Sequence, residues 1–166
     1  MQIVEAAGIT VALVAGACTA DDFERLLEAN IRIAGDGARF SAAGVHDPVA
    51  CAARLTRLLG EARAKELMLA GRSVDAANAR RLGLVTRVVP GAALGDTARA
   101  VVGELQHLPP LALAAVRDAV RAARELTPAA ALELEHEHFR RLLATQDHKA
   151  AVAAFFARRE AVFTGE

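Results

Sequence analysis

Tryptophan and tyrosine are absent from this sequence, and six phenylalanines supply all of its aromatic content, 4%. Alanine dominates the apolar fraction instead, which favours close-packed helices over a sheet sandwich, because alanine is the best helix former. Cysteine is scarce. Cys18 and Cys51 are too few and too isolated for a disulfide framework or a zinc site, and each lies in an alanine-rich apolar stretch that marks it as a buried small hydrophobe. Charge of either sign is not in excess: the formal net charge is zero. A nucleic-acid-binding footprint needs a clustered basic surplus, so that class is excluded, and weak self-repulsion eases self-association. No apolar run reaches the roughly 18 residues of a membrane helix. The N-terminal stretch MQIVEAAGITVALVAGA lacks a basic leader, so a secretion signal is not expected and a cytoplasmic protein is.

What is present is enough apolar material for one core. Hydrophobic residues make up 54% of 166 and charged residues 24%, a balance typical of a folded domain rather than a disordered one. The first half alternates short strands with helices. Residues 9–15 (ITVALVA) form a β-branched run between Gly8 and Gly16 and read as a fully buried strand. Thr19 opens a helix to about Asn30, with Asp22 at the third position of a capping box. Residues 31–34 (IRIA) read as a second strand. Asp36-Gly37 suits a tight turn into residues 38–40. A loop follows over residues 41–47, then Pro48 as a first helical residue and helix to Leu59. Residues 61–69 continue helical up to Gly71. Asp75 caps a short helix that Gly83 stops, and residues 85–89 form a strand.

Beyond Pro90-Gly91 the pattern is almost unbroken helix: residues 96–106, residues 111–126 after the corner at Pro109-Pro110, a helix started by Thr127-Pro128 that carries residues 133–143, and residues 148–160. The seam at residues 91–95 divides the chain into 1–90, which contains the strands, and 91–166, which is helical.

Several segments, taken together in this order, carry a resemblance. Residues 65–90, KELMLAGRSVDAANARRLGLVTRVVP, have the wording of a helix end, turn, short helix and strand. Ahead of them stand Val14-Ala15-Gly16, then Asn30-Ile31-Arg32-Ile33-Ala34, Ala38-Arg39-Phe40 and Leu55-Thr56-Arg57 with Gly60. Behind them stand Thr145-Gln146-Asp147, Ala154-Phe155-Phe156-Ala157-Arg158-Arg159, Phe163 and Gly165. In this order the chain resembles the enoyl-CoA hydratase/isomerase (crotonase) family over nearly its whole length, without the longer N-terminal segment typical of that family.

The resemblance implies an α/β fold: a truncated crotonase-like ββα spiral over 1–90, followed by a helical oligomerisation region over 91–166 that builds homotrimers or hexamers. It implies an acyl-CoA or acyl-carrier thioester as substrate, with no separate cofactor and no metal. Family chemistry uses two backbone N–H groups as an oxyanion hole for an enolate-like intermediate, one of them in a glycine-rich turn at a helix start, where the helix dipole also helps. Here that turn reads Thr19-Ala20-Asp21-Asp22, and the family's glycine maps to Asp21, whose backbone amide becomes the expected donor. Hydratases of the family add two glutamates as general acid and base. The first maps to Glu24. The second maps to Gly44, so one carboxylate of the pair is replaced, and His46 with Asp47 is the possible substitute base in that loop.

Two function classes follow. One is a hydratase/isomerase-type enzyme with an altered oxyanion turn and one of two glutamates. The other is a catalytically silent crotonase-like binding or assembly subunit that needs a partner chain to complete the site. His136 and His138 are two apart on a helix and cannot share a metal as an i, i+4 pair would; they read as a solvated polar face. Phe155, Phe156 and Phe163 hold half of the chain's aromatics near its end; they read either as part of the intramolecular core or, if exposed, as an apolar patch of the kind that marks interfaces.

Overall fold

The computed structural model describes residues 1–166 apart from the side chain of Ala50. Two successive turns of chain repeat the same strand–strand–helix order. In the first, β2 (Ile9–Val14) leads through Gly16 to β3 (Ala17–Cys18) and α1 (Ala20–Glu28), after an opening strand β1 (Gln2–Ala6). In the second, β4 (Ile31–Gly35) leads to β5 (Arg39–Phe40), α2 (Pro48–Leu59) and α3 (Glu61–Leu69). A partial third turn holds β6 (Val74–Asp75), α4 (Ala76–Leu82) and β7 (Arg87–Val89), and a 3-10 turn (Gly91–Ala93) then opens α5 (Leu94–Gln106). Corresponding strands of each turn stack in one sheet, so the chain forms a ββα spiral. One sheet has the order β1-β2-β4-β7 and the other β3-β5-β6.

Pairing follows burial. β2 and β4 run parallel, with Val11 opposite Ile31 and Val14 opposite Ala34, and β4 pairs in parallel with β7. β2 is buried at five of six positions, as a central parallel strand covered on both faces must be. The start of this pair is pinned by side chains: Asn30 Oδ1 accepts from the Thr10 N–H and hydroxyl, both at 2.9 Å. Arg32, which sits inside the strand motif, donates from Nε to the Leu84 carbonyl and from Nη1 to the Ala29 carbonyl, each at 2.8 Å. Its guanidinium thereby satisfies carbonyls at the ends of neighbouring elements that have no ladder partner.

Two compact units arise. The first comprises residues 1–5 and 10–101, the second residues 6–9 and 102–166. Phe23, Phe40, Leu26, Ile33 and Leu55 are the largest fully buried side chains, all in the first unit. Both cysteines are buried and free, as their apolar surroundings suggested. The second unit contains α6 (Pro110–Ala122), α7 (Pro128–Leu143) and α8 (Gln146–Phe156). Neither α6 nor α7 buries any side chain fully, and Val116, Val120, Leu132, Phe139, Phe155 and Phe156 are all exposed.

Several expectations require correction. β1 and β6 were not expected. β1 lacks the β-branched run that marks β2, and β6 is two residues long, formed only because Val74 and Asp75 meet Phe40 and Arg39 of β5 in antiparallel register. The capping box at Thr19 does not form: Thr19 occupies the N-cap position with no side-chain cap bond, and Asp22 is drawn instead to the Met1 amino group at 3.0 Å. α8 ends at Phe156 rather than near residue 160, because Arg158 turns into the left-handed region at φ +51°. His138 is not on a solvated face. It is half-buried, and its Nε2 is enclosed without a hydrogen-bond partner. The other caps stand as the sequence indicated: Asp75 accepts from the Asn78 N–H and Thr127 from the Ala130 N–H.

Candidate functional site

The start of α1 is an unusual helix N-terminus. β3 delivers the chain to Thr19 in extended conformation, and Ala20 then takes φ +50°, the left-handed region. A non-glycine residue there carries a cost of about 1–2 kcal/mol. The strained position is therefore Ala20, one residue before the position expected to need glycine, and Asp21 has no such requirement. The kink swings the first amides of α1 away from the strand. Ala20 donates to the Ala43 carbonyl at 3.4 Å and Asp22 to the Thr19 carbonyl at 3.1 Å. The Asp21 N–H makes no hydrogen bond among the described residues. It is one of the donors every helix start leaves over, with the positive end of the helix dipole behind it.

The loop of residues 41–47 meets the start of α1, where the Ala43 carbonyl takes the Ala20 N–H. Ser41 N–H donates to the Cys18 carbonyl at 3.0 Å, extending the β3–β5 ladder by one residue. The Ser41 hydroxyl then accepts from the Ala43 N–H at 3.2 Å. Gly44 follows at φ +76°, and a Cβ built on it would sit 3.8 Å from the Ala20 Cβ. Two left-handed residues thus face each other across the site. The position that the resemblance assigns to the second glutamate is brought to the α1 N-terminus, but its backbone conformation favours glycine.

Glu24 stands three residues after Asp21 on α1, so the two project from neighbouring places on one helix face. Glu24 is half-buried. Its Oε1 accepts from the backbone N–H of Asp47 at 2.9 Å, and the Asp47 carbonyl in turn accepts from Cys51 N–H at 3.0 Å in the first turn of α2. Glu24 therefore caps α2 from another helix. Asp47 and Glu24 are brought together, through backbone rather than through two carboxylates. His46 is exposed on the same loop.

Electrostatics around the site are acidic. Burial pushes the Cys18 thiol up to about 12, with the nearby Asp22 carboxylate adding to the shift. The Cys51 thiol is likewise raised, first by burial, then by the charge of Glu24; Arg54 partly opposes this. Both thiols stay protonated near neutral pH, which removes them as nucleophiles. Asp22 is balanced by the Met1 amino group and by Arg25, 3.7 Å away. No group of three or more metal-ligating side chains comes together among the described residues, and no helix is long and apolar enough to cross a membrane.

What sequence reasoning did not find is the Ala20–Gly44 apposition and the Glu24–Asp47 bond. Each joins residues more than twenty apart through main-chain geometry, and no side-chain pattern announces either.

The family model described as Enoyl-CoA hydratase/isomerase matches residues 1–166. Among curated proteins, "Probable enoyl-CoA hydratase echA8" of Mycobacterium tuberculosis (strain CDC 1551 / Oshkosh) is 36% identical over 159 residues, 93% of this chain and 62% of that protein. The 2,3-dehydroadipyl-CoA hydratase of Escherichia coli K12 is 31% identical over 146 residues, 86% of this chain and 57% of that protein. Among solved structures, an enoyl-CoA hydratase/isomerase from Cupriavidus metallidurans CH34 superposes with a TM-score of 0.82 at 33% identity, covering 93% of this chain and 60% of its own. The enoyl-CoA hydratase from Bacillus anthracis gives 0.84 at 28% identity, covering 91% and 60%. The chain thus spans about three fifths of the length of the relatives it matches.

Proposed function

Because the chain belongs to the enoyl-CoA hydratase/isomerase family, we propose that it handles acyl-CoA thioesters at the N-terminus of α1, as a hydratase/isomerase-type protein with one of the usual two carboxylates. The observation that carries this reading is the unpaired Asp21 N–H, held at a helix start beside Glu24. A thioester carbonyl placed against that amide would gain a hydrogen bond and the helix-dipole field as negative charge builds on its oxygen, a contribution of about 3 kcal/mol to the transition state for one such donor. Glu24 moves the proton, using Oε2, since Oε1 is committed to Asp47. His46 and Asp47 remain the groups from which a second base would come.

A second reading has its own support. Gly44 replaces a carboxylate, and the retained Glu24 already serves as a cap for α2. The charges of Asp21 and Asp22 lie beside the place where an oxyanion would form. A catalytically silent subunit that binds a partner chain fits these features. In either case the exposed apolar side chains of α6, α7 and α8 support self-association of this chain into trimers or hexamers.

Calorimetric titration with a short-chain enoyl-CoA, followed by loss of enoyl absorbance, separates the readings. Saturable binding with turnover that falls at least about a hundredfold in Glu24→Gln supports the enzyme. Turnover unchanged in Glu24→Gln removes Glu24 from the acid/base role. Absence of binding at high ligand concentration supports the silent subunit.

A further inference from the structure

Residues 145–147 (T-x-D) and 163–165 (F-x-G) form a sequence pair that thioester chemistry leaves unused, and the structure brings its two halves together. α8 ends at Phe156, and the chain reverses at Arg158, held left-handed at φ +51°. Residues 157–166 then return along α8, about 16 Å at helical rise, to its N-terminus, without forming a helix or strand of their own. There Asp147, only 4% exposed, accepts the Thr164 N–H on Oδ1 at 2.7 Å and the Gly165 N–H on Oδ2 at 3.1 Å. The Gln146 and Asp147 N–H groups donate back to the Glu166 carbonyl at 2.6 and 3.2 Å. Gly165 is at φ +79°, and a Cβ there would lie 3.3 Å from Pro110 Cγ, so any other residue at this position strains the seat.

The seat of this segment is therefore concentrated at one end, on one carboxylate and two helix-start amides. Between the hinge and the seat, Phe163 turns inward and lines an apolar cavity of about 300 Å³, together with Leu111, Phe139, Leu142 and Ala151. The other walls come from α6, α7 and α8, which have their own backbone hydrogen bonds and do not depend on the segment for them.

We propose that residues 157–166 are a latched strap: Arg158 is its hinge, Asp147 its latch, and Phe163 a removable wall of the cavity. Opening the latch withdraws Phe163 and widens this half-open pocket while the helices stay formed. This does not rest on the thioester reading.

The test uses the full chain. Hydrogen exchange at the Thr164 and Gly165 amides, and tryptic cleavage after Arg158 and Arg159, report the strap. In Asp147→Ala, exchange at both amides rises by about tenfold or more and cleavage quickens by a similar factor, because two charge-assisted bonds are lost together. Exchange within α7 and the far-ultraviolet circular dichroism stay as in the parent. Asp147→Asn, which keeps one carbonyl acceptor, falls between. Unchanged exchange at Thr164 and Gly165 in Asp147→Ala would overturn the latch. So would equal loss of protection throughout α7, which would make Asp147 a staple of the whole helical unit. If Asp147→Ala does not fold, Gly165→Ala, which strains the seat against Pro110, must give the same local signature; no local change in that variant would also overturn the proposal.

Discussion

The carboxylate of Glu24 and the backbone N–H of Asp47 are joined by a 2.9 Å hydrogen bond, so the proposed acid/base residue is also the cap of the next helix. The two roles can be separated. Glutamine keeps an acceptor at the same place, whereas alanine does not. Glu24→Gln is expected to change stability by no more than about 0.5 kcal/mol, the weakened charge–dipole term. Glu24→Ala is expected to cost about 1 kcal/mol, as for other lost caps. Urea denaturation of the three proteins checks this, and equal losses for both variants would exclude the capping role.

Ala20 bears backbone strain that its side chain does not repay. Glycine removes about 1–2 kcal/mol of left-handed penalty and adds about 0.5–1 kcal/mol of unfolded-state entropy. Ala20→Gly is therefore expected to stabilise the protein by about 0.5–1 kcal/mol net. A rise in melting temperature is the expected result, and a fall would contradict the backbone geometry at the site.

Placing a carboxylate at Gly44 meets the same physics in reverse. Space is not the obstacle, since the nearest atom to an added Cβ is 3.8 Å away; the φ of +76° is. Gly44→Ala and Gly44→Glu are both expected to lose about 1–2 kcal/mol. A much larger loss for glutamate than for alanine in chemical denaturation would point to packing or charge instead.

The two cysteines set a limit at high pH. Each thiol has its pKa raised in the folded chain, Cys18 to about 12, chiefly by burial. The folded state therefore holds protons that the unfolded state releases, and stability contributed by the neutral thiols is present below the ordinary thiol range. It is lost as the pH rises from about 9 toward 12. Denaturation midpoints should fall across that window and fall less in a Cys18→Ala variant. Alkylation at pH 8 should be slow in the native protein and fast after unfolding.

Phe155 and Phe156, 78% and 80% exposed, stand edge to face with ring centroids 5.7 Å apart. If these rings bury on self-association, sedimentation velocity will find an assembly that dissociates in a Phe155→Asp, Phe156→Asp double variant while helix content is kept. A parent protein that stays monomeric would oppose the self-association reading.

The local elements were legible in the sequence wherever short-range chemistry decides them. The β-branched run of β2, Pro48 at the start of α2, Asp75 and Gly83 at the two ends of α4, and Thr127 ahead of α7 each act within a few residues, so composition and spacing suffice. The order of these pieces also carried the family resemblance and marked Asp21, Glu24 and Gly44 as the places to look. Tertiary structure decided the rest. It put left-handed strain on Ala20 instead of Asp21, faced Gly44 toward it, and gave the Glu24 carboxylate to a backbone amide more than twenty residues away. It left the Thr19 hydroxyl without its cap bond, since the Asp22 N–H donates to the Thr19 carbonyl instead, and it made Asp147 a latch for residues separated from it by a whole helix. Those outcomes depend on which main-chain donors and acceptors remain unpaired once the spiral has closed, and that is a property of the assembled fold, not of any stretch of sequence.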